Sequence, residues 1–414
     1  MVIVLRTTDD VLRWAGRLVG PPLRAAIGRL PEPSREVAEL QLGWHSGGDT
    51  QLVTPRGATG RLPDPPDEIA ELQLGRHGGD TPVATPRGAI GRLPEVAGEV
   101  AEFRFGRPGG GDAPVATLRS ALTLVCADAV GGDPHDAVPA AVAVELMHQW
   151  SAIRRDLVDE RADGAAGVVG PQPAALGGEA LLALAFDVVA TGDPTHIAPG
   201  RPRQRSGQPG PDRTMMRILG DTVQELLHGQ HASLALQGTR PDPAGEERTD
   251  LLRDCLAMVE QRTGALFGCA CALGAVAGGG DPAQVERLRL FGVRLGLAVQ
   301  FAEDLLGIWG EDPAPGRPAY PDLRRRRRSL PVAAAIAAGA EELTGLFDGR
   351  GRVSDADAER AAKTIEQSGA RDWCRRQADE LLSQALLALD LASPSPTAVA
   401  ELVALARRAT TAPR

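Results

Sequence analysis

Lysine is almost missing from this chain. Lys363 is its single lysine, so arginine is the default wherever a basic ligand position is needed. Aromatic side chains make up only 3% of the 414 residues, and none interleave with the basic run Arg324 to Arg328. With a net charge of −9 and a pI near 5.4, that argues against a nucleic-acid binder. The five cysteines (Cys126, Cys255, Cys269, Cys271, Cys374) form no C-x-x-C pair, and no secretory signal precedes them. The expectation is buried free thiols in a reduced cytoplasm. Cys269-Ala270-Cys271 has metal-binding residue types, but in an apolar Ala/Gly/Leu helix packing is the better reading. No uncharged apolar run reaches the ~18 residues of a membrane span, so the chain is expected to be soluble, without a transmembrane segment.

Strand-like alternation is absent as well. From Leu118 onward, apolar residues recur at helical spacing in segment after segment. Breaks fall at Gly131-Gly132-Asp133-Pro134, Gly192 to Arg213, Gly278 to Pro282 and Asp312 to Pro321. Residues 354 to 410 add two or three amphipathic helices. With 43% hydrophobic residues, the chain can bury one large core or two smaller ones. The expected fold class is an all-α bundle.

The first 117 residues read differently. Gly28-Arg29-Leu30-Pro31, Gly60-Arg61-Leu62-Pro63 and Gly91-Arg92-Leu93-Pro94 begin three copies of one unit, 32 and 31 residues apart. Each continues into a short helical piece: Glu36 to Leu40, Glu68 to Leu72, then Glu99 to Phe103. One short helix per unit, among many Gly and Pro, does not suit a helical solenoid. The chain is therefore divided into an N-terminal repeat extension, 1–90, and a helical domain, 91–410. Copies one and two are read as loosely ordered extras, with a docking or targeting tail as the alternative. Removing residues 1 to 85 is then expected to leave the melting temperature unchanged.

Two carboxylate clusters follow apolar helical runs: Arg155-Asp156-Leu157-Val158-Asp159-Glu160 and Glu303-Asp304-Leu305-Leu306-Gly307. Acids at i, i+3 and i, i+4 project from one helix face. Two such faces across a bundle can hold hard cations, and the cations a diphosphate. A solvated helix face is the plainer reading of Asp156, Asp159 and Glu160.

These clusters resemble the two acidic motifs, usually D-D-x-x-D, of the trans-isoprenyl diphosphate synthases (polyprenyl synthetases). Ala121 to Leu124, Ala140 to Met147, Ala180 to Val189, Val223 to Gln230, Arg262 to Leu266 and Asp304 to Gly310 are also close to how the family reads, so the resemblance runs from about Leu118 to Arg407. It implies an isoprenoid synthase-type helical bundle that ionises an allylic diphosphate and condenses it with isopentenyl diphosphate. Mg²⁺ would be the cofactor, and the protein would be a homodimer or a heterodimer with a homologue. The implied metal and catalytic residues are Asp156, Asp159, Glu303 and Asp304. The implied diphosphate ligands are Arg119, His148, Arg155, Gln230, Arg262, Thr263, Gln300 and Arg317. Bulk just before the first motif limits product length in the family, and Trp150 there suggests a short to medium product.

The chain departs from the family pattern in ways that matter. Arg155 stands where the family has a metal-bridging aspartate; it can contact a diphosphate but cannot coordinate a metal. Around the isopentenyl site Arg119 remains, while the other basic positions hold Ala116 and Thr117. Gly164-Ala165-Ala166-Gly167 occupies the region of an expected Arg pair, and Ser233 replaces an aspartate. Three lost cations weaken binding by several kcal/mol, at about 1.5–3 kcal/mol per charged hydrogen bond. Three functions are therefore carried forward: a prenyltransferase, a terpene synthase or cyclase without an acceptor, and a non-catalytic partner subunit.

Overall fold

The computed structural model describes residues 7–31, 34–42, 118–158, 165–192, 211–238, 246–310, 320–340, 342–348 and 353–411. Among them are sixteen α-helices and no strand. In chain order these are α1 (Thr8–Gly28), α2 (Ser34–Leu42), α3 (Leu118–Ala129), α4 (Val138–Val158), α5 (Ala165–Val169), α6 (Pro171–Thr191), α7 (Pro211–Gly238) and α8 (Glu246–Val259). They continue with α9 (Ala265–Ala277), α10 (Pro282–Trp309), α11 (Pro321–Arg324), α12 (Leu330–Ala337), α13 (Glu342–Asp348), α14 (Asp355–Gln367), α15 (Ala370–Leu391) and α16 (Pro396–Ala409). A π-helical turn, Glu260–Gly264, joins α8 to α9. The expected all-α bundle is what forms.

Helix α10 organises the interior. Asp281 caps it through the Ala283 and Gln284 amides, and the Gln284 side chain returns the bond to the Asp281 amide. Along its length Leu288, Phe291, Leu295 and Val299 enter one apolar cluster, while Val293, Leu297, Phe301, Leu305 and Ile308 enter a second. Both series step by three or four residues, so they mark two faces of one helix. A helix apolar on two faces must be buried between partners. Here its main partners are α9, which joins the first cluster, and α15, which joins both. The second acidic cluster rides on the last turns of this helix, between the two cores.

Close approach of α9 and α10 depends on glycine. A Cβ on Gly296 would lie 3.0 Å from both the Gly264 Cα and the Thr263 carbonyl oxygen, tighter than ordinary contact. That proximity brings the Thr263 hydroxyl to 2.7 Å from Gln300 Oε1, to which it donates.

Two N-terminal helices, Thr8–Gly28 and Ser34–Leu42, fall within the expected extension, and their apolar residues join the larger core. Thr7 and Asp10 form a capping box at the start of α1. Val11, Ala15, Val19, Leu23 and Ala26 then bury one stripe against α3 and α4. Helix α2 seats Val37, Ala38 and Leu42 on α6. A Cβ on Gly177 would fall 2.6 Å from the Val37 Cβ, so this seat exists because position 177 is glycine. Asp9 also forms an ion pair with Arg408 of α16 at 2.8 Å, closing the first helix onto the last. The second and third repeat units lie outside the described residues.

Helix α6 is long and apolar enough to cross a membrane by length and composition alone, with a mean hydropathy of 1.6 over its most apolar window. It does carry Glu179 and Asp187, which pair with Arg154 and Arg29. Its Leu181, Ala185 and Val188 are buried in the core with α4. All five cysteines are buried and free, and burial lifts the Cys255 and Cys269 thiols to about 12.

Candidate functional site

Helices α3, α4, the π turn, α9 and α10 meet around a small cavity of about 60 Å³, partly open to solvent. Its polar lining is Arg119 from α3, His148 and Arg155 from α4, Thr263 from the π turn, and Gln300 and Glu303 from α10. Leu118, Phe267 and Val299 supply apolar wall. The first positions of the two clusters, Arg155 and Glu303, thus line one space.

The cations are embedded rather than surface-mounted. The Arg119 guanidinium lies 5.2 Å from the centre of the Phe267 ring and the residue is 9% exposed. Burial lowers its pKa, Glu145 and Glu303 oppose that shift, and Arg155 adds to it. His148 is held well below its ordinary value, first by burial and then by Arg119 and Arg155, so its ring is neutral.

Asp304 points elsewhere. Its Oδ1 accepts from Gln300 Nε2 at 2.8 Å and lies 3.5 Å from an Arg327 nitrogen. Its Oδ2 accepts from the Leu330 amide at 2.9 Å, at the start of α12. Adjacent helical residues diverge by about 100°, so Glu303 faces the cavity and Asp304 the second core. Burial raises the Asp304 pKa against the pull of Arg327. Asp156 is buried on α4 and is not among the lining residues. Of the four expected carboxylates, then, Glu303 lines the cavity and Asp156 and Asp304 do not, while Asp159 and Arg317 lie outside the described residues. Gln230 accepts from Arg154 Nε at 3.2 Å, and Arg262 donates to Ser233 at 3.3 Å; neither lines the cavity.

The described donors do not suit the magnesium that the resemblance implies. Among the described residues no three His, Cys, Asp or Glu side chains converge as a metal site. The cavity offers one carboxylate facing two guanidinium groups, where hard cations take six or more oxygen ligands.

Three contributors escaped sequence reasoning. Glu145, fully buried on α4, counters the burial of Arg119; it sits in an apolar run with nothing to flag it. The π turn that presents Arg262 and Thr263 has no compositional signature, although such turns favour functional sites. Asp322 is the third. A Cβ at Gly307 would collide with its carboxylate, so the glycine ending the second cluster makes room for an acid from α11. Arg327 then meets Asp322 Oδ2 at 3.2 Å. Gly307→Ala is expected to cost about 1–3 kcal/mol, the usual range for overpacking, and to lower the melting temperature. An unchanged melting curve would show that Asp322 does not occupy this space.

A polyprenyl synthetase family model matches residues 112–365. Across 281 residues the chain is 34% identical to a (2E,6E)-farnesyl diphosphate synthase of Mycobacterium tuberculosis, covering 65% of this chain and 72% of that protein. It is also 34% identical over 299 residues to a geranylgeranyl diphosphate synthase of the same organism, covering 70% and 79% of the two chains. A solved polyprenyl synthetase from Streptomyces coelicolor superposes with a TM-score of 0.70 at 28% identity, covering 98% of this chain and all of that one.

Proposed function

Because the chain belongs to the polyprenyl synthetase family, we propose that it is a prenyltransferase that ionises an allylic diphosphate and condenses it with isopentenyl diphosphate. The observation that carries this reading is the cavity: two arginines at one apolar-walled space inside the region that matches the family. Farnesyl and geranylgeranyl diphosphate synthases among the relatives support it.

Ionisation breaks a C–O bond and leaves a carbocation beside pyrophosphate. In this reading Arg119 and Arg155 take up the charge of the leaving group, where preorganised donors act most strongly. Leu118, Phe267 and Val299 keep water from the carbocation. Thr263 and Gln300, already bonded to each other, hold the rim of the cavity in place. Pairing of two like chains and a cytoplasmic location are part of the proposal, the latter supported by five free buried thiols.

The test is incubation of the full chain with isopentenyl diphosphate and C5 to C20 allylic diphosphates, with and without Mg²⁺. Lengthened diphosphates are the expected products. Hydrocarbons alone, or no turnover of any allylic diphosphate, would overturn the proposal.

A further inference from the structure

Arg155 changes what the cavity can bind unaided. It lies at the first position of its cluster, lining the space with Glu303 from the first position of the other, and Arg119 completes the group. We infer that this cavity binds the diphosphate group directly through Arg119 and Arg155, without requiring a divalent ion. The inference rests on the prenyltransferase reading and narrows it, since it states how the anionic head is held.

Several features point the same way. Two guanidinium groups offer planar forks of donors that match phosphate oxygens two at a time. They also line the same cavity closely enough for their charges to act on their neighbours: Arg155 lowers the Arg119 pKa, and both lower that of His148. A polyanion between them relieves that repulsion; a divalent cation there would add to it. Among the described lining residues two arginines meet one carboxylate, with His148 neutral and Glu145 acting on Arg119 from outside the lining. Asp304 accepts from the Leu330 amide and Gln300 and is not among the residues lining the cavity. Glu303 is left facing the arginines, and its charge opposes an incoming anion.

Isothermal titration of the full chain with inorganic pyrophosphate decides the matter, run once in EDTA and once in excess Mg²⁺. The wild-type protein is expected to bind in EDTA with a Kd within about tenfold of that in Mg²⁺. Arg155→Met should weaken binding in EDTA by about ten- to a hundredfold, the loss of a charge-assisted hydrogen bond. Arg155→Lys, which keeps the charge without the fork, should fall between. Glu303→Gln should bind as tightly in EDTA as the wild type, or more tightly. Melting curves of each variant separate loss of binding from loss of fold.

Binding seen only with Mg²⁺, and abolished there by Glu303→Gln, would overturn the inference. If elongation of allylic diphosphates is still observed in that case, the prenyltransferase reading stands while the metal-free clamp falls. No pyrophosphate binding under either condition, by a folded protein that also fails to elongate, removes both.

Discussion

Deleting residues 1–42 is expected to destroy the folded bundle or to lower its melting temperature by ten degrees or more. Val11, Val19, Leu23, Ile27, Val37 and Leu42 are each buried to within 7% exposure or less. Burying one such side chain is worth about 1.5–3 kcal/mol, so together they contribute on the order of 10 kcal/mol before conformational entropy is counted against them. Net stabilities of folded domains are only ~5–15 kcal/mol. The deletion also strips α3, α4 and α6 of their cover, leaving an apolar groove open to water. A milder probe avoids wholesale unfolding: Leu23→Ala should cost about 2–5 kcal/mol. The measurement is a thermal or urea melt of each variant, and a truncated chain melting within two degrees of the parent would refute the packing described.

Asp304→Ala carries the second large effect, and it falls on the fold rather than on the cavity. The substitution orphans the Leu330 amide, removes the acceptor of the Gln300 amide and takes one acid partner from Arg327. Arg327 is half exposed and keeps Asp322, so most of the loss comes from the orphaned Leu330 amide at the head of α12, at about 1–3 kcal/mol, with the lost Gln300 bond in addition. Asp304→Asn keeps an oxygen for Leu330 and should recover part of the loss. The neighbouring Glu303→Gln, on a side chain that faces the cavity, should melt close to wild type. Equal melting of the Ala and Gln variants would show that the two acids do not divide their roles in this way.

That division explains what the sequence could and could not disclose. The bundle was legible because its helices carry apolar residues at three- and four-residue steps, as along Leu288 to Ile308. Helix α1 has the same signal in Val11, Ala15, Val19 and Leu23, but Gly16, Gly20, Pro21 and Pro22 hide it. Glycine and proline lower helical propensity, and here tertiary packing overrides that preference. Six expected site residues do line the cavity: Arg119, His148, Arg155, Thr263, Gln300 and Glu303. Motif spacing could not tell which of Glu303 and Asp304 faces inward, because that depends on how α10 is rotated between two cores. Nor could it reveal Asp322, whose place beneath Gly307 is set by the packing of α11 against α10 rather than by a local pattern.

The ion pair between Asp9 and Arg408 has a bearing on biosynthesis. Helix α1 finds part of its seat on α16, which is synthesised long after it. At roughly 5–20 residues per second, tens of seconds separate their emergence. During that interval α1 lacks its contacts with α16, which makes the nascent chain a client for any factor that shields a partly covered helix until α16 emerges.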